Sequence, residues 1–457
     1  MNSNGTPKVR GQTIRCVINN AYSEIGNIHY DANGGTGTMA DATNVNLGTA
    51  VAANNEFAKS YFTFIGWSTS ADGTGIVVAE GSSVATAASH MGIVEGGTLT
   101  LYAIWRSQYS LSYDDNGADA GSMSSVRVRN LEVGQMSLSS SNFSRAGYGF
   151  AGWGVDSTAA TKLINGNSVQ IYGPNERITV DSNFLANADP NTGQITLYAV
   201  WLPEDSTYTM QTFGASECGA LNVGDVLALK DIRDNNVYMV AKLGDNHCWM
   251  AENLRLIPSA TTLSNANTNL PTASFATAAA SSASADILCN SDDSTCVDQI
   301  GFNSNTINRS YSPSHSSNRV DSSWYSYGVM YNWYTATAGN GVFNMSSGNV
   351  VGDICPAGWR LPTGGASSSE YVSLNNVINN GSTATSDGLV RFPANFLYSG
   401  DYNYDTPGGR NTYGRYWSAT PKDTYSAYRF GTTSYAGPTP AGSWKKWDAF
   451  AVRCIVK

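Results

Sequence analysis

Three short blocks in the C-terminal half of this chain limit its fold more than any other feature. They are GDNHCWMAENL at 244–254, ICPAGWRLPT at 354–363 and FAVRCIVK at 450–457. Each sets a cysteine among large apolar side chains, and Cys248, Cys355 and Cys454 lie about a hundred residues apart. This arrangement predicts a loop-rich domain whose distant ends are stapled by disulfides rather than by regular secondary structure.

The rest of the composition fits that reading. Charged residues make up only 13% of the 457, yet 41% are hydrophobic and there are 11 Trp and 25 Tyr. Such a chain can bury cores and is not a disordered polar tract. Its length predicts two to four domains. The net charge of −9 is spread without blocks, and no Lys/Arg patch is present, which argues against nucleic acid and anionic membrane as partners. None of the seven cysteines forms a CxxC, and the four histidines (His29, His90, His247, His315) are scattered, so no zinc site is expected. The cysteines instead indicate an oxidising compartment. The opening MNSNGTPKVRGQ lacks the apolar segment of a signal peptide, and no run reaches the ~18 apolar residues of a membrane span. LPTGG at 361–365 misses the sortase signal at Gly364. The expectation is the exported part of a longer protein, extracellular and attached to a cell surface through a segment absent from this sequence.

Internal repetition organises the N-terminal half. YDANGGTGTM at 30–39 returns as YDDNGADAGSM at 113–123, FTFIGWSTS at 62–70 as YGFAGWGVD at 148–156, and TLTLYAIW at 98–105 as QITLYAVW at 194–201. Each unit reads as strand, Asp/Asn-Gly turn, strand, aromatic-Gly-Trp and a closing alternating strand, exemplified by Leu99, Leu101, Ala103 and Trp105. The second unit carries extra length between its Gly-Trp and its last strand. These anchors resemble the Listeria–Bacteroides repeat, a β-grasp-like module whose members serve as spacers and weak adhesive units. Trp67, Trp105, Trp153 and Trp201 are expected in cores, and Asp31 and Asn33 are expected to form a turn rather than bind calcium. The predicted organisation is a tail or linker at 1–26, repeats at 27–106 and 107–202, a linker at 203–211, and a C-terminal domain at 212–457.

In that domain, Asp234-Asn235-Asn236 and Asp245-Asn246 are predicted turns between strands. Short helices are predicted within 327–339 and 367–381, the second with Ser368 or Ser369 as cap and Gly381 beyond its end. The order of motifs from Trp249-Met250 and Glu252-Asn253-Leu254, through Tyr331-Asn332-Trp333, Cys355-Pro356, Gly358-Trp359, Leu361-Pro362 and Tyr416-Trp417-Ser418, to Val452-Arg453-Cys454 resembles the Fibrobacter succinogenes major paralogous domain. A more distant resemblance joins it to the formylglycine-generating-enzyme and C-type-lectin-like group. The implied fold is α+β and β-rich: two tandem β-grasp-like repeats followed by a disulfide-stapled C-type-lectin-like domain. Sequence leaves the connectivity open. The expected pairs are Cys355 with Cys454, Cys218 with Cys248 and Cys289 with Cys296, with Cys16 left over. Closing the loop of about 100 residues is worth roughly 4–5 kcal/mol in the chain-entropy model.

Catalytic constellations are weak. Glu252 beside Cys248 and Trp249 is expected to bridge a turn, a disulfide at Cys248 would remove a thiol–imidazole pair with His247, and Arg360 and Arg453 are expected to meet carboxylates such as Glu252. No enzyme and no cofactor are expected, although Asp286, Asp292, Asp293 and Asp298 keep calcium open at one acidic loop. The strongest functional signal is the stretch 398–438, where eight tyrosines stand among Ser, Gly, Asn, Asp and Thr. Rigid amphipathic rings with adaptable polar neighbours are the vocabulary of binding surfaces. Tyr402, Tyr404, Tyr413, Tyr425 and Tyr435 are the expected contacts; Tyr416, Trp417 and Tyr428 are expected to be structural. The function expected is that of a bacterial adhesin or receptor-binding protein recognising a glycan or protein on another cell. The alternatives are a structural envelope or filament component and an enzyme related to the formylglycine-generating group.

Overall fold

The computed structural model describes residues 25–127, 134–256, 264–267, 269, 310–311, 327–338, 340–341, 344–403, 406–446 and 448–457. The chain divides into two units: one runs up to Tyr109, and the other takes the chain from Ser110 onward apart from 127–131. Among the described residues no helix is long and apolar enough to cross a membrane.

In the first unit, the Tyr-Asp strand Ile25–Asp31 lies parallel to the closing strand Thr98–Ser107, with Ile28 opposite Leu99 and Tyr30 opposite Leu101. Phe62–Ser68 runs antiparallel on the other side of the closing strand. The alternation in that strand buries Leu99, Leu101 and Ala103, while Trp105 is half-buried and donates to Ala32 O at 2.9 Å. Trp67 is fully buried, packs 4.8 Å from Tyr30, and donates to Ala53 O at 3.0 Å. Asp31 Oδ1 accepts from Asn33 N, while Asn33, at φ 46°, donates through Nδ2 to Ala71 O and Ala103 O. This is the turn-forming role expected of these two residues. The first strand begins two residues ahead of the predicted repeat boundary at 27.

The second repeat makes the same bonds. Ser110–Asp114 runs parallel to Gln194–Pro203, and Tyr148–Gly154 antiparallel to it. Trp153 packs 4.7 Å from Tyr113 and donates to Ser139 O, Trp201 donates to Asp115 O, and Asn116, also at φ 46°, bonds Ser157 O and Ala199 O. The glycine before each tryptophan has a reason: Gly66 and Gly152 sit at φ 142° and 147°, where a side chain is strained, beside the register shift in each sheet.

This repeat shares a core with the C-terminal domain. Ala151, Ala159, Ile171, Val200 and Leu202 pack with Ala228, Val237, Met239, Trp249, Tyr371 and Phe396. Asn395 donates to Ala151 O at 2.8 Å, and Ser140 Oγ donates to Tyr327 OH at 2.7 Å. The segment 203–211, predicted as a linker, is held in place. Asp205 N donates to Ala228 O, Met210 N donates to Lys230 O, Met210 is fully buried, and its carbonyl accepts from Trp359 Nε1 at 2.6 Å.

The three cysteine blocks, far apart in sequence, become neighbouring strands. One five-stranded sheet has the order Val226–Lys230, Val237–Lys242, Cys248–Met250, Ile455–Val456, Trp359–Arg360. Trp249 pairs with Ile455, and Trp359 with Val456. Cys218–Cys248 and Cys355–Cys454 are disulfide-bonded, spanning 30 and 99 residues. Cys16, Cys289, Cys296 and the four aspartates of the acidic loop lie outside the described residues. Both predicted Asn turns form, with Asn235 and Asn246 at φ 63° and 66°. The predicted helices shorten to Trp333–Ala336 and Glu370–Ile378. Ser369 is the N-cap residue, but its hydroxyl makes no capping bond; Thr363 Oγ1 accepts from Glu370 N instead.

The buried arginine of the closing block differs from expectation. Among the described residues Arg453 meets no carboxylate directly. Its Nε donates to Asn253 Oδ1 at 2.6 Å, Nη1 to Met250 O and Ala394 O, and Nη2 to Asn395 O. Its guanidinium also lies 4.7 Å from the centre of the Phe396 ring. Carbonyl dipoles and an aromatic face thus carry the charge. Arg360 does pair with a carboxylate, that of Glu370 at 2.8 Å. Glu252 accepts from Met239 N and bridges to Arg255, the turn-bridging role read from the sequence.

Candidate binding site

The Tyr-rich stretch is built around a three-stranded antiparallel sheet of Tyr413–Pro421, Ser426–Thr433 and Thr439–Lys445. Residues opposite one another across such strands share a face. Tyr416 and Phe430 are paired and buried against Tyr371 and Phe396. On the other face Trp417 and Ala427 join the second core, where Trp417 stacks 4.3 Å from Phe450. This second face also carries Tyr413, Arg415, Arg429 and Trp444, all half-buried.

These four residues and two carboxylates form one cluster. Arg415 lies 4.6 Å from the Tyr413 ring centre and 4.2 Å from that of Trp444, and it pairs with Asp401. Tyr413 donates to Asp401 Oδ1 at 3.1 Å. Arg429 lies 5.8 Å from the Trp444 ring centre. Its Nη1 donates to Thr439 Oγ1 at 2.9 Å, its Nε is buried with no hydrogen-bond partner, and among the described residues the nearby carboxylate, Asp401, pairs with Arg415 and acts on Arg429 only through its charge. Two glycines make room for it: a Cβ would fall 2.1 Å from Arg429 Nη1 at Gly431 and 3.2 Å from its Cζ at Gly442. Burial, reinforced by repulsion from Arg415, lowers the Arg429 pKa to about 10. Asp448 accepts from Trp444 Nε1, but burial outweighs that bond and lifts its carboxyl to about 7. Burial likewise raises Asp401 against the pull of Arg415.

The expected tyrosine contacts divide. Tyr425 and Tyr435 are 42% and 73% exposed. They flank opposite ends of Ser426–Thr433, so roughly 25 Å of strand separates them. Tyr413 is half-buried and engaged by Asp401 and Arg415, which makes it a wall of the cluster rather than a projecting contact. Tyr402 lies in the strand Asp401–Asn403, but its side chain is outside the described residues, as is all of Tyr404. Tyr416 and Trp417 are core, and Tyr428 covers Gly364 and Gly365, where a Cβ would strike it. Sequence reasoning missed Arg415, Arg429, Trp444 and Asp401. The available signal was the pair of arginines flanked by aromatics, in YGRYW and AYRFG.

No cluster of His, Cys, Asp or Glu able to hold a metal occurs among the described residues. Cys248, beside His247, is in its disulfide and has no thiol. Neither the curated proteins nor the solved structures contain a match to this chain. Residues 27–104 and 109–180, together a third of the chain, match the Listeria-Bacteroides repeat domain. The match stops at 180, whereas the strand Gln194–Pro203 completes the second sheet. The N-terminal half of this protein therefore carries two Listeria–Bacteroides repeats.

Proposed function

We propose that this protein is a noncatalytic adhesin or receptor-binding protein displayed on a bacterial cell surface, and that it recognises a carboxylate-bearing glycan or protein on another cell. In this reading the C-terminal domain is a major paralogous, C-type-lectin-like domain presented by the repeats. The observation that carries the reading is Arg429, a half-buried guanidinium with an unpaired Nε and Trp444 beside it, which feels Asp401 only at longer range because that carboxylate is paired with Arg415. A planar cation flanked by aromatic rings suits a carboxylate, which it can meet with two parallel hydrogen bonds. Tyr425 and Tyr435 add exposed aromatic area on either side, at a spacing that only an extended partner can bridge.

The test is binding of the full chain to arrays of acidic and neutral glycans and to whole bacterial and host cells, with and without EDTA. Wild type should bind acidic targets, and Arg429→Ala should bind at least tenfold more weakly while melting as a folded protein. Equal binding by wild type, Arg429→Ala and the Tyr425→Ala/Tyr435→Ala double variant would sink the reading. Loss of binding in EDTA would bring calcium into it.

A further inference from the structure

The extra length of the second repeat, unexplained by the repeat pattern, builds a cavity. It forms the strand Arg177–Val180, paired with Gly134–Ser137, and the short helix Ser182–Leu185. Together with Asp387 and Arg391 of the C-terminal domain these line a half-open cleft of about 310 Å³. The two walls meet closely, because a Cβ at Gly173 would fall 2.1 Å from Val390 O.

We propose that this cavity binds a neutral hexopyranose, as a free sugar or as the end of a glycan. Its volume falls at the lower end of the small-ligand range. Its walls are unusually polar for such a site and suit a ligand rich in hydroxyls. Glu176 is 7% exposed; its Oε2 accepts from Gly173 N at 2.7 Å, and its Oε1 stands 3.6 Å from Arg391 Nε, beyond hydrogen-bond distance. This loose ion pair leaves both groups able to meet one hydroxyl from the side, which would donate to the carboxylate and accept from the guanidinium. Tyr172 lines the same space, half-buried and in a T-shaped contact with Phe184 at 6.0 Å, and an aromatic ring among polar side chains suits a sugar. The charge balance argues against an anionic ligand: Glu176, Asp181 and Asp387 face Arg177 and Arg391. Asp181 is already spent on capping the helix through Asn183 N and Phe184 N. The site shares no residue with the Arg429 cluster and does not depend on it.

The test is saturation-transfer NMR of the full chain with the methyl glycosides of glucose, galactose and mannose, repeated with a glycan bearing the best of them at its non-reducing end. Arg391→Ala and Asp387→Asn are the site variants; the Arg391 side chain is 58% exposed, so its removal should leave the fold intact. The expected result is binding of at least one glycoside, weakened tenfold or more in both variants and unchanged in Arg429→Ala. Transfer to none of the glycosides would overturn the proposal. So would binding that survives both site variants, or that is lost only in Arg429→Ala. A terminal glycan that binds more tightly than its glycoside marks the glycan as the source; equal affinity marks the free sugar.

Discussion

Arg429 rests on the bare Cα of Gly431, where a methyl group would come within 2.1 Å of its Nη1. The glycine is therefore part of the proposed binding site, although it has nothing of its own to contribute to a ligand. Gly431→Ala should push the guanidinium off its seat and cost about 1–3 kcal/mol through overpacking. Binding to acidic targets should fall with it, whereas Gly219→Ala, at a helical glycine with open space around it, should leave binding unchanged. A cell-binding assay paired with a urea melt separates the two effects.

The buried arginine of the closing block should be costly to remove. Arg453 satisfies Met250 O, Ala394 O, Asn395 O and Asn253 Oδ1, and Arg453→Leu leaves all four without that donor. At about 1–3 kcal/mol for each orphaned group, partly relieved by relaxation, a total loss of roughly 3–5 kcal/mol is expected. A shift of the urea midpoint corresponding to less than ~1 kcal/mol would mean these bonds are replaceable.

The two disulfides should contribute unequally. Loops of 99 and 30 residues differ by about 1 kcal/mol in the chain-entropy model, favouring Cys355–Cys454. Replacing each pair with alanine and comparing unfolding free energies tests the order. The opposite order would show that residual structure or strain outweighs loop length.

The carboxyl of Asp448 gives a pH signature. Burial raises it to about 7, above the ordinary aspartate value of 3.8. The folded state therefore holds this proton more tightly than the unfolded state does. Its contribution to stability is greatest below the unfolded value, falls as pH rises toward 7, and is flat beyond. Asp448→Asn should remove this slope, so the variant should gain on wild type between pH 4 and pH 7 in urea melts. A constant difference across that range would place the titration elsewhere.

Equivalent asparagines should respond alike. Asn33 and Asn116 each hold φ 46° and bond two carbonyls through Nδ2. Alanine at either position loses those bonds and takes on left-handed strain of about 1–2 kcal/mol, whereas glycine loses only the bonds. Glycine should thus be the milder change at both positions, as read by thermal melting.

The features legible in the sequence are those whose causes are local. Tyr30 and Tyr113, Trp67 and Trp153, Asn33 and Asn116 recur because one small sheet needs the same turn, bulge and indole bond each time it is built. The cysteine blocks marked themselves as buried staples, since apolar residues around a cysteine suit one, but left their pairing to the fold. What only the tertiary structure decided depends on elements far apart in the chain. That the second repeat shares a core with Met239 and Phe396, that Gly431 and Gly442 clear a seat for Arg429, and that Arg391 borders a cleft begun by Tyr172 all involve such distant partners. Tyr413 shows the difference within one residue. Its type suggested an exposed contact, but Asp401, twelve positions earlier, holds its hydroxyl and turns it into a wall of the site. A side chain's type follows from its codon, whereas its solvent exposure and its partner are set by whatever the fold brings against it.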